Sequence, residues 1–287
     1  MRYFFVCCLW FVVASAFSQP QTDDVGLLIM AHGGSEEWNS AIEEAAFPLR
    51  TKFPVSIAFG MANPETLQKA VDELVSQRVK SIAVVRLFVS GESFIDETRY
   101  AFGLSSVPPE GHFMHQPRIL DLTVPTAISI GGLLDDHSLS GVLVDRASNL
   151  SSDPGWESVL IVGHGPGDDD ENERWLSKMN ILADSVRESA NFHIVKVSTL
   201  REDWTGKREV VEKELRHFVE MEAAEGRNVI IIPFRLHGFG PYSDVFDGLA
   251  YQADSLGFLP DKRVTHWIEQ QYRQTKALLI STKPSDQ

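Results

Sequence analysis

Cysteine is almost absent from the 287-residue chain. The two cysteines, Cys7 and Cys8, both lie in a short apolar segment at the N-terminus. Once that segment is removed, the remaining chain has no disulfide and no thiolate that could bind a metal or attack a substrate. We therefore expect a hydrophobic core alone to stabilise the protein.

Basic residues are also scarce relative to acidic ones. Lys and Arg number 26 against 40 Asp and Glu, which gives a formal net charge of -14 at pH 7. Because phosphate backbones and anionic lipids would repel such a chain, we expect no nucleic-acid partner. Beyond the N-terminal segment, no run approaches the ~18 apolar residues of a membrane span, so we expect no stable membrane insertion after that segment is removed.

Several catalytic sequence motifs are missing. The chain has neither the Gly-x-Ser-x-Gly turn of a serine hydrolase nor the His-Glu-x-x-His helix of a metalloprotease. The runs Gly33-Gly34 and Gly165-Pro166-Gly167 match neither the Rossmann nor the P-loop fingerprint. The sequence thus gives little support to those hydrolases or to a nucleotide-binding protein.

The N-terminal segment has the pattern of a secretory signal peptide. Met1-Arg2 is a short basic start, residues 3–13 are almost wholly apolar, and small-x-small cleavage patterns end at Ala16 and Ser18. We predict a signal peptide over residues 1–18 and an exported protein, periplasmic or secreted. An uncleaved anchor is the alternative.

An internal repeat organises the rest of the chain. Residues 25–34 are matched by residues 158–167, each a short apolar run that ends in His-Gly. Residues 80–91 are similarly matched by residues 227–238. A repeat of more than a hundred residues indicates duplicated domains. We predict domains over 24–147 and 156–283, joined by a polar stretch with Pro and Gly.

Strand patterns alternate with helix patterns in each half. The continuous apolar runs 25–30 and 81–89 predict strands buried on both faces. Asn63-Pro64-Glu65 predicts a helix start, with Asn63 as N-cap and Pro64 in the first turn. This alternation predicts α/β domains with parallel sheets and helices on both faces.

Candidate site residues follow the predicted strands. His32 and His164 come directly after the first buried strand of each half, and ligands bind beyond the carboxyl ends of parallel strands. Gly33, Gly34 and Gly165 would let a flat ligand approach the backbone. The alternative is that each His only forms local hydrogen bonds in a strand-to-helix turn.

One further candidate residue follows the second matched strand in each half. Glu92 could pair with His32, and His237 could pair with His164. An imidazole with a carboxylate, or two imidazoles, can hold a borderline divalent metal loosely, so we predict metal ligands at His32, Glu92, His164 and His237. A solvated loop acid is the alternative for Glu92.

The motifs resemble a known family. Ala31-His32-Gly33-Gly34, residues 87–91 and residues 136–146 are similar to segments of the class II tetrapyrrole chelatases of the sirohydrochlorin cobaltochelatase type, in their two-domain long form. The resemblance implies two flavodoxin-like domains that face one another across a cleft. It implies insertion of cobalt, nickel or iron into a tetrapyrrole such as sirohydrochlorin, without ATP or an organic cofactor. His32 would bind the metal or accept a proton, with His164 as its counterpart.

Tetrapyrrole intermediates carry several carboxylates, so an acidic protein needs local cations to bind them. Arg86 and Arg235 lie near predicted strand ends and are our candidate substrate-binding residues, with Arg99 and Arg201 nearby in the sequence. Surface ion pairs are the alternative for these residues.

The sequence also departs from the family. Ser93 stands where the family usually carries a second His, and Gly240 stands at the matching place in the second half. Export is a further departure, because such biosynthesis is expected in the cytoplasm. The alternative functions are a non-catalytic periplasmic metal- or tetrapyrrole-binding protein on the same scaffold and, with less support, an unrelated hydrolase with a His-lined cleft.

Overall fold

The computed structural model describes residues 24–110 and 115–281. The signal peptide predicted over residues 1–18 lies outside these ranges. Within them, every helix is either too short or too polar to cross a membrane.

Each half of the chain forms a four-stranded parallel sheet, as predicted. The two sheets have the same strand order, β2-β1-β3-β4 in the first half and β6-β5-β7-β8 in the second. The repeat in sequence is therefore a repeat in topology. The strands are β1 Val25–Ala31, β2 Val55–Phe59, β3 Ser81–Leu87, β4 Thr126–Ile128, β5 Glu157–Gly163, β6 Ile194–Thr199, β7 Asn228–Phe234 and β8 Gln252–Ala253.

Helices follow most of the strands. The predicted start at Asn63 is confirmed, because its side-chain oxygen accepts a hydrogen bond from the Glu65 backbone N–H at 2.8 Å. The helices are α1 Glu36–Ala46, α2 Pro64–Ser76, α3 Ile95–Ala101, α4 Ser140–Leu150, α5 Asp169–Ser189, α6 Thr205–Ala224, α7 Tyr242–Val245 and α8 Lys262–Ser281. Short 3-10 helices cover Phe47–Thr51, Leu133–Asp135, His137–Leu139 and Pro154–Trp156.

The two sheets share one hydrophobic core. All residues of the central strands β1 and β5 are buried, which requires packing on both faces of each sheet. Alternate residues of both sheets, such as Leu27 and Ile161, belong to a single apolar cluster, whereas Leu28 and Leu160 belong to separate clusters on the outer faces. The alternation of strand side chains thus places one face of each sheet toward the other half.

The last helix of each half packs on the opposite half. The segment 136–146, similar to a domain-closing helix, lies largely in α4, and α4 packs on α5 and β7 of the second half. In return α8 packs on β3, β4 and α1 of the first half. The Tyr272 hydroxyl of α8 donates a buried hydrogen bond to the Val25 carbonyl of β1 at 2.8 Å. This exchange joins the halves at both ends of the chain.

The Tyr272–Val25 hydrogen bond provides a test of the exchange. We expect Tyr272→Phe to lower the free energy of unfolding by about 1–2 kcal/mol, because the buried carbonyl loses a donor. Chemical denaturation measures this change, and amide hydrogen exchange should accelerate in β1 more than in β5. The exposed Gln270→Ala in the same helix is the control. Equal acceleration in β1 and β5 would argue against a local role for α8 in the first half.

Candidate functional site

His32 and His164 occupy turns of the same geometry. Nδ1 of His32 lies 2.6 Å from the Gly33 carbonyl oxygen, and Nδ1 of His164 lies 2.7 Å from the Gly165 carbonyl oxygen. Because a carbonyl only accepts hydrogen bonds, Nδ1 of each ring carries a proton. Each Nε2 is thus left for a partner outside its own turn, either a protein group or a metal.

The next strand of each sheet fixes these turns. The backbone N–H of Gly60 donates to the His32 carbonyl at 2.9 Å, and that of Arg201 donates to the His164 carbonyl at 2.7 Å. Gly33 and Gly165 have φ angles of 77° and 75°, which other residues rarely adopt. A Cβ atom on Gly165 would lie 2.5 Å from Thr199 Cβ. The glycines are therefore required by the turns themselves, whatever room they also give a ligand.

The two histidines differ in their surroundings. His32 is exposed, whereas His164 is part-buried and its Nε2 lies 3.2 Å from Asp203 Oδ2 and 3.9 Å from Glu202 Oε2. The sequence analysis missed both acids. They lie in the loop that begins after β6, three and four residues beyond its end, and the rule that sites form at the carboxyl ends of strands could have found them. The second half thus combines an imidazole with carboxylates.

Side chains from the two halves meet between the histidines. Trp38 of α1 lies next to His32, with ring centroids 6.3 Å apart, and its edge contacts His237 of the second half at 6.4 Å. Arg235 Cζ lies 5.7 Å from the centroid of the same indole, and Arg235 Nη1 donates to Glu202 at 2.5 Å. His32, His237, Arg235 and His164 are therefore linked through Trp38 and Glu202 in one cross-domain cluster.

Glu92 is engaged in an ion pair between the halves. Arg174 of α5 holds its carboxylate with two nitrogens, Nε at 3.0 Å and Nη2 at 2.6 Å. The hydrogen bonds from Arg174 lower the pKa of Glu92 below its usual value. Among residues 24–110 and 115–281, no group of three or more His, Cys, Asp or Glu is arranged to hold a metal ion. The predicted pairing of Glu92 with His32 is thus replaced by its contact with Arg174.

Arg86 supports a loop rather than the cleft surface, in contrast to its predicted role in substrate binding. Its side chain is fully buried, and its guanidinium donates to the carbonyls of Gly91, at 3.0 Å, and Ser93. Burial lowers the pKa of Arg86 to about 10, so it stays charged at neutral pH. A cation held inside the protein in this way has no exposed face for a ligand carboxylate.

Known structures were compared with this fold. The chain matches no protein-family model and no curated protein sequence. SirB from Bacillus subtilis with Fe3+ matches with a TM-score of 0.63 at 16% identity, over 90% of this chain and 98% of that one. The sirohydrochlorin chelatase SirB from Bacillus subtilis subspecies spizizenii, in complex with cobalt, matches with a TM-score of 0.58 at 12% identity, over 90% and 97%.

This chain has a chelatase-like fold. A third match supports the assignment, namely the multi-domain protein DR2241 from Deinococcus radiodurans, which is described as structurally similar to chelatases. Its TM-score is 0.53 at 16% identity, over 86% of this chain and 54% of that one. The resemblance seen in the sequence is confirmed at the level of the fold, together with the predicted parallel sheets.

The turn glycines can be tested by alanine substitution. We expect Gly165→Ala to lower the free energy of unfolding by at least about 2 kcal/mol, because it combines a strained φ with a clash against Thr199. Denaturation by urea measures the change. Gly206→Ala in α6 meets no heavy atom within 4 Å, so this control should raise stability by about 0.5–1 kcal/mol. Equal effects of the two substitutions would contradict the strained turn.

The ion pair between Glu92 and Arg174 predicts a pH-dependent contribution to stability. Because the folded-state pKa of Glu92 is lowered, its stabilisation is present above the unfolded value of about 4.3 and is lost as pH falls through the folded value. Both side chains are partly exposed, so we expect Glu92→Gln to cost less than about 1 kcal/mol at pH 7.

Denaturation at several pH values measures this difference, which should disappear in acid. The exposed Glu209→Gln is the control and should leave stability unchanged at every pH. A Glu92→Gln penalty that persists at strongly acidic pH would show that the carboxylate charge is not its source.

Proposed function

We propose that this protein is an exported chelatase-like lyase that inserts cobalt, nickel or iron, as the divalent ion, into a tetrapyrrole such as sirohydrochlorin without ATP. The observation that carries this proposal is the duplicated His-Gly turn, in which Nδ1 of each histidine contacts the turn and Nε2 is left for a partner outside it, which is Asp203 in the second half. The chelatase-like fold supports the reaction class, and the N-terminal sequence supports export.

The reaction sets two requirements for the protein. A metal-free tetrapyrrole loses two pyrrole N–H protons and gains one divalent ion, so charge balances when both protons leave. The protein must therefore accept protons close to the place where it delivers the metal. Imidazole nitrogens suit both tasks, because neutral His is a base near neutral pH and a good ligand for cobalt, nickel and iron.

We assign the main role to His164. Its Nε2 is within hydrogen-bonding distance of Asp203, and Glu202 lies slightly farther away. These carboxylates stabilise an imidazolium after proton transfer, and Asp203, being largely exposed, can pass the proton to solvent. The same imidazole and carboxylate can hold a divalent ion with positions left open for the macrocycle. The exposed His32 faces the ligand from the other half.

The choice among metals rests on the related structures. The SirB structures contain cobalt or Fe3+. A site of imidazole and carboxylate accepts both cobalt and ferrous ions, with nickel also suited to imidazole. We therefore propose cobalt and ferrous ion as the first metals to test.

A non-catalytic metal- or tetrapyrrole-binding protein is the second candidate. Two observations favour it. Ser93 stands where the family carries a second His, and the carboxylate of the neighbouring Glu92 is already hydrogen-bonded to Arg174. Such a protein would bind the macrocycle in the same cleft without accelerating metal insertion.

Anaerobic incubation with sirohydrochlorin and cobalt or ferrous ion separates the two candidates. We expect metal insertion above the uncatalysed rate. The change in the visible absorption spectrum of the macrocycle measures that rate. His164→Ala should lower the rate about 100-fold, within the usual range for loss of a general base. His32→Ala should lower it less, about tenfold, since no pair of carboxylates like Glu202 and Asp203 lies beside His32 in the part of the chain that the structure describes.

His217→Ala is the matched control, because His217 is exposed on α6, and its rate should equal that of the unmodified protein. Tight binding of the macrocycle with no turnover would favour the carrier. If the protein neither binds the macrocycle nor accelerates metal insertion, both candidates are contradicted.

A further inference from the structure

Trp38 makes an aromatic contact that crosses from the first half to the second, at the carboxyl ends of the strands. Its ring lies beside His32 of its own half and touches His237 and Arg235 of the opposite half. The position of the ring follows from local structure, because Ser35 caps α1 by accepting a hydrogen bond from the Trp38 backbone N–H at 3.3 Å. Trp38 therefore lies where the carboxyl ends of the strands of the two sheets come together.

Two buried N–H groups beside this contact have no acceptor in the described part of the chain. They are Nε1 of Trp38 and Nε of Arg235, one from each half. A buried donor without a partner is costly and uncommon in folded proteins. Three other buried side-chain atoms in the described residues also have no partner, namely Arg86 Nε, Trp267 Nε1 and the hydroxyl of Tyr242, whose ring lies beside Arg235. The donors of Trp38 and Arg235 differ from these in lying on the two sides of one contact between the halves, where a ligand with acceptor oxygens would match them.

Glycines lie against both side chains of this contact. A Cβ atom on Gly34 would lie 3.1 Å from Trp38 Cγ, and one on Gly240 would lie 2.7 Å from Arg235 Cζ. The indole and the guanidinium are thus flanked by bare backbone. The contact between Trp38 and His237 is also wide, because 6.4 Å is near the upper limit for interacting rings.

We propose that Trp38 is the platform on which the planar macrocycle stacks, and that the N–H groups of Trp38 and Arg235 receive carboxylates at its edge. This inference rests on the proposed function, adds Trp38 to it as a specificity-determining residue, and assigns a specific contact to the candidate Arg235. The macrocycle would replace the guanidinium on the indole face. Arg235, still held by Glu202, would then lie at the rim of the macrocycle, where tetrapyrroles carry their carboxylates.

Binding of a metal-free porphyrin tests this proposal without requiring catalysis. Uroporphyrin is the probe, its methyl ester is the uncharged planar comparison, and fluorescence anisotropy of the porphyrin gives the Kd. Trp38→Leu keeps an apolar side chain on the core but removes the ring, so it should weaken binding of both probes about tenfold. Trp38→Phe keeps a smaller ring and should bind more tightly than Trp38→Leu.

Arg235→Gln should weaken binding of the acid and leave binding of the ester unchanged, because only the acid carries negative charge. Trp156→Phe is the control, since Trp156 is 60% exposed in the turn before β5, at the opposite end of the sheet from the candidate site. Its Kd should equal that of the unmodified protein. Far-UV circular dichroism and the Tm confirm that each variant is folded.

The outcomes separate this inference from the proposed function. Suppose that the unmodified protein binds uroporphyrin and that folded Trp38→Leu and Trp38→Phe have the same Kd as the unmodified protein. The stacking role of Trp38 is then overturned, while the proposed function stands. If Arg235→Gln affects acid and ester alike, the carboxylate contact is overturned. If the unmodified protein binds neither probe, the platform and the proposed function fall together.

Discussion

The candidate site depends on the packing of one face of each sheet into a common core. Leu27 and Ile161 belong to the same apolar cluster although they come from different halves. The exchange of α4 and α8 strengthens this union, since each half supplies a helix to the other. Because of the shared core and the exchanged helices, the carboxyl ends of β1 and β7 lie close enough for Trp38 to contact His237. Without the shared core, the two histidine turns would belong to separate modules.

Duplication has preserved the backbone of the site and changed its chemistry. The His32 and His164 turns share the same ring-to-carbonyl contact, the same left-handed glycine and the same hydrogen bond from the neighbouring strand. Around this conserved geometry, the first half offers an indole and the second offers carboxylates. Two equivalent turns thus have different surroundings, with an indole beside His32 and carboxylates beside His164.

Charge is tightly paired near the two histidine turns and at the contact between the halves. Arg235 is held by Glu202, Arg174 by Glu92 and Arg201 by Asp169, while Arg86 is buried beneath a loop. In a protein of net charge -14, this pairing keeps the cations in fixed positions. The anionic ligand proposed above would therefore have to compete with carboxylates already present.

From the sequence we could predict the parallel strands, the duplicated halves and the place of the two His-Gly segments, because continuous apolar runs and a repeated motif are visible in the local order of residues. The sequence did not determine that Glu92 pairs with Arg174, that Arg86 is internal, or that Glu202 and Asp203 join His164. These contacts, and the position of Trp38 between the halves, follow from the packing of the folded chain. Periodicity indicates which side chains are buried, whereas the partner of a polar side chain depends on how distant helices and strand ends are packed together.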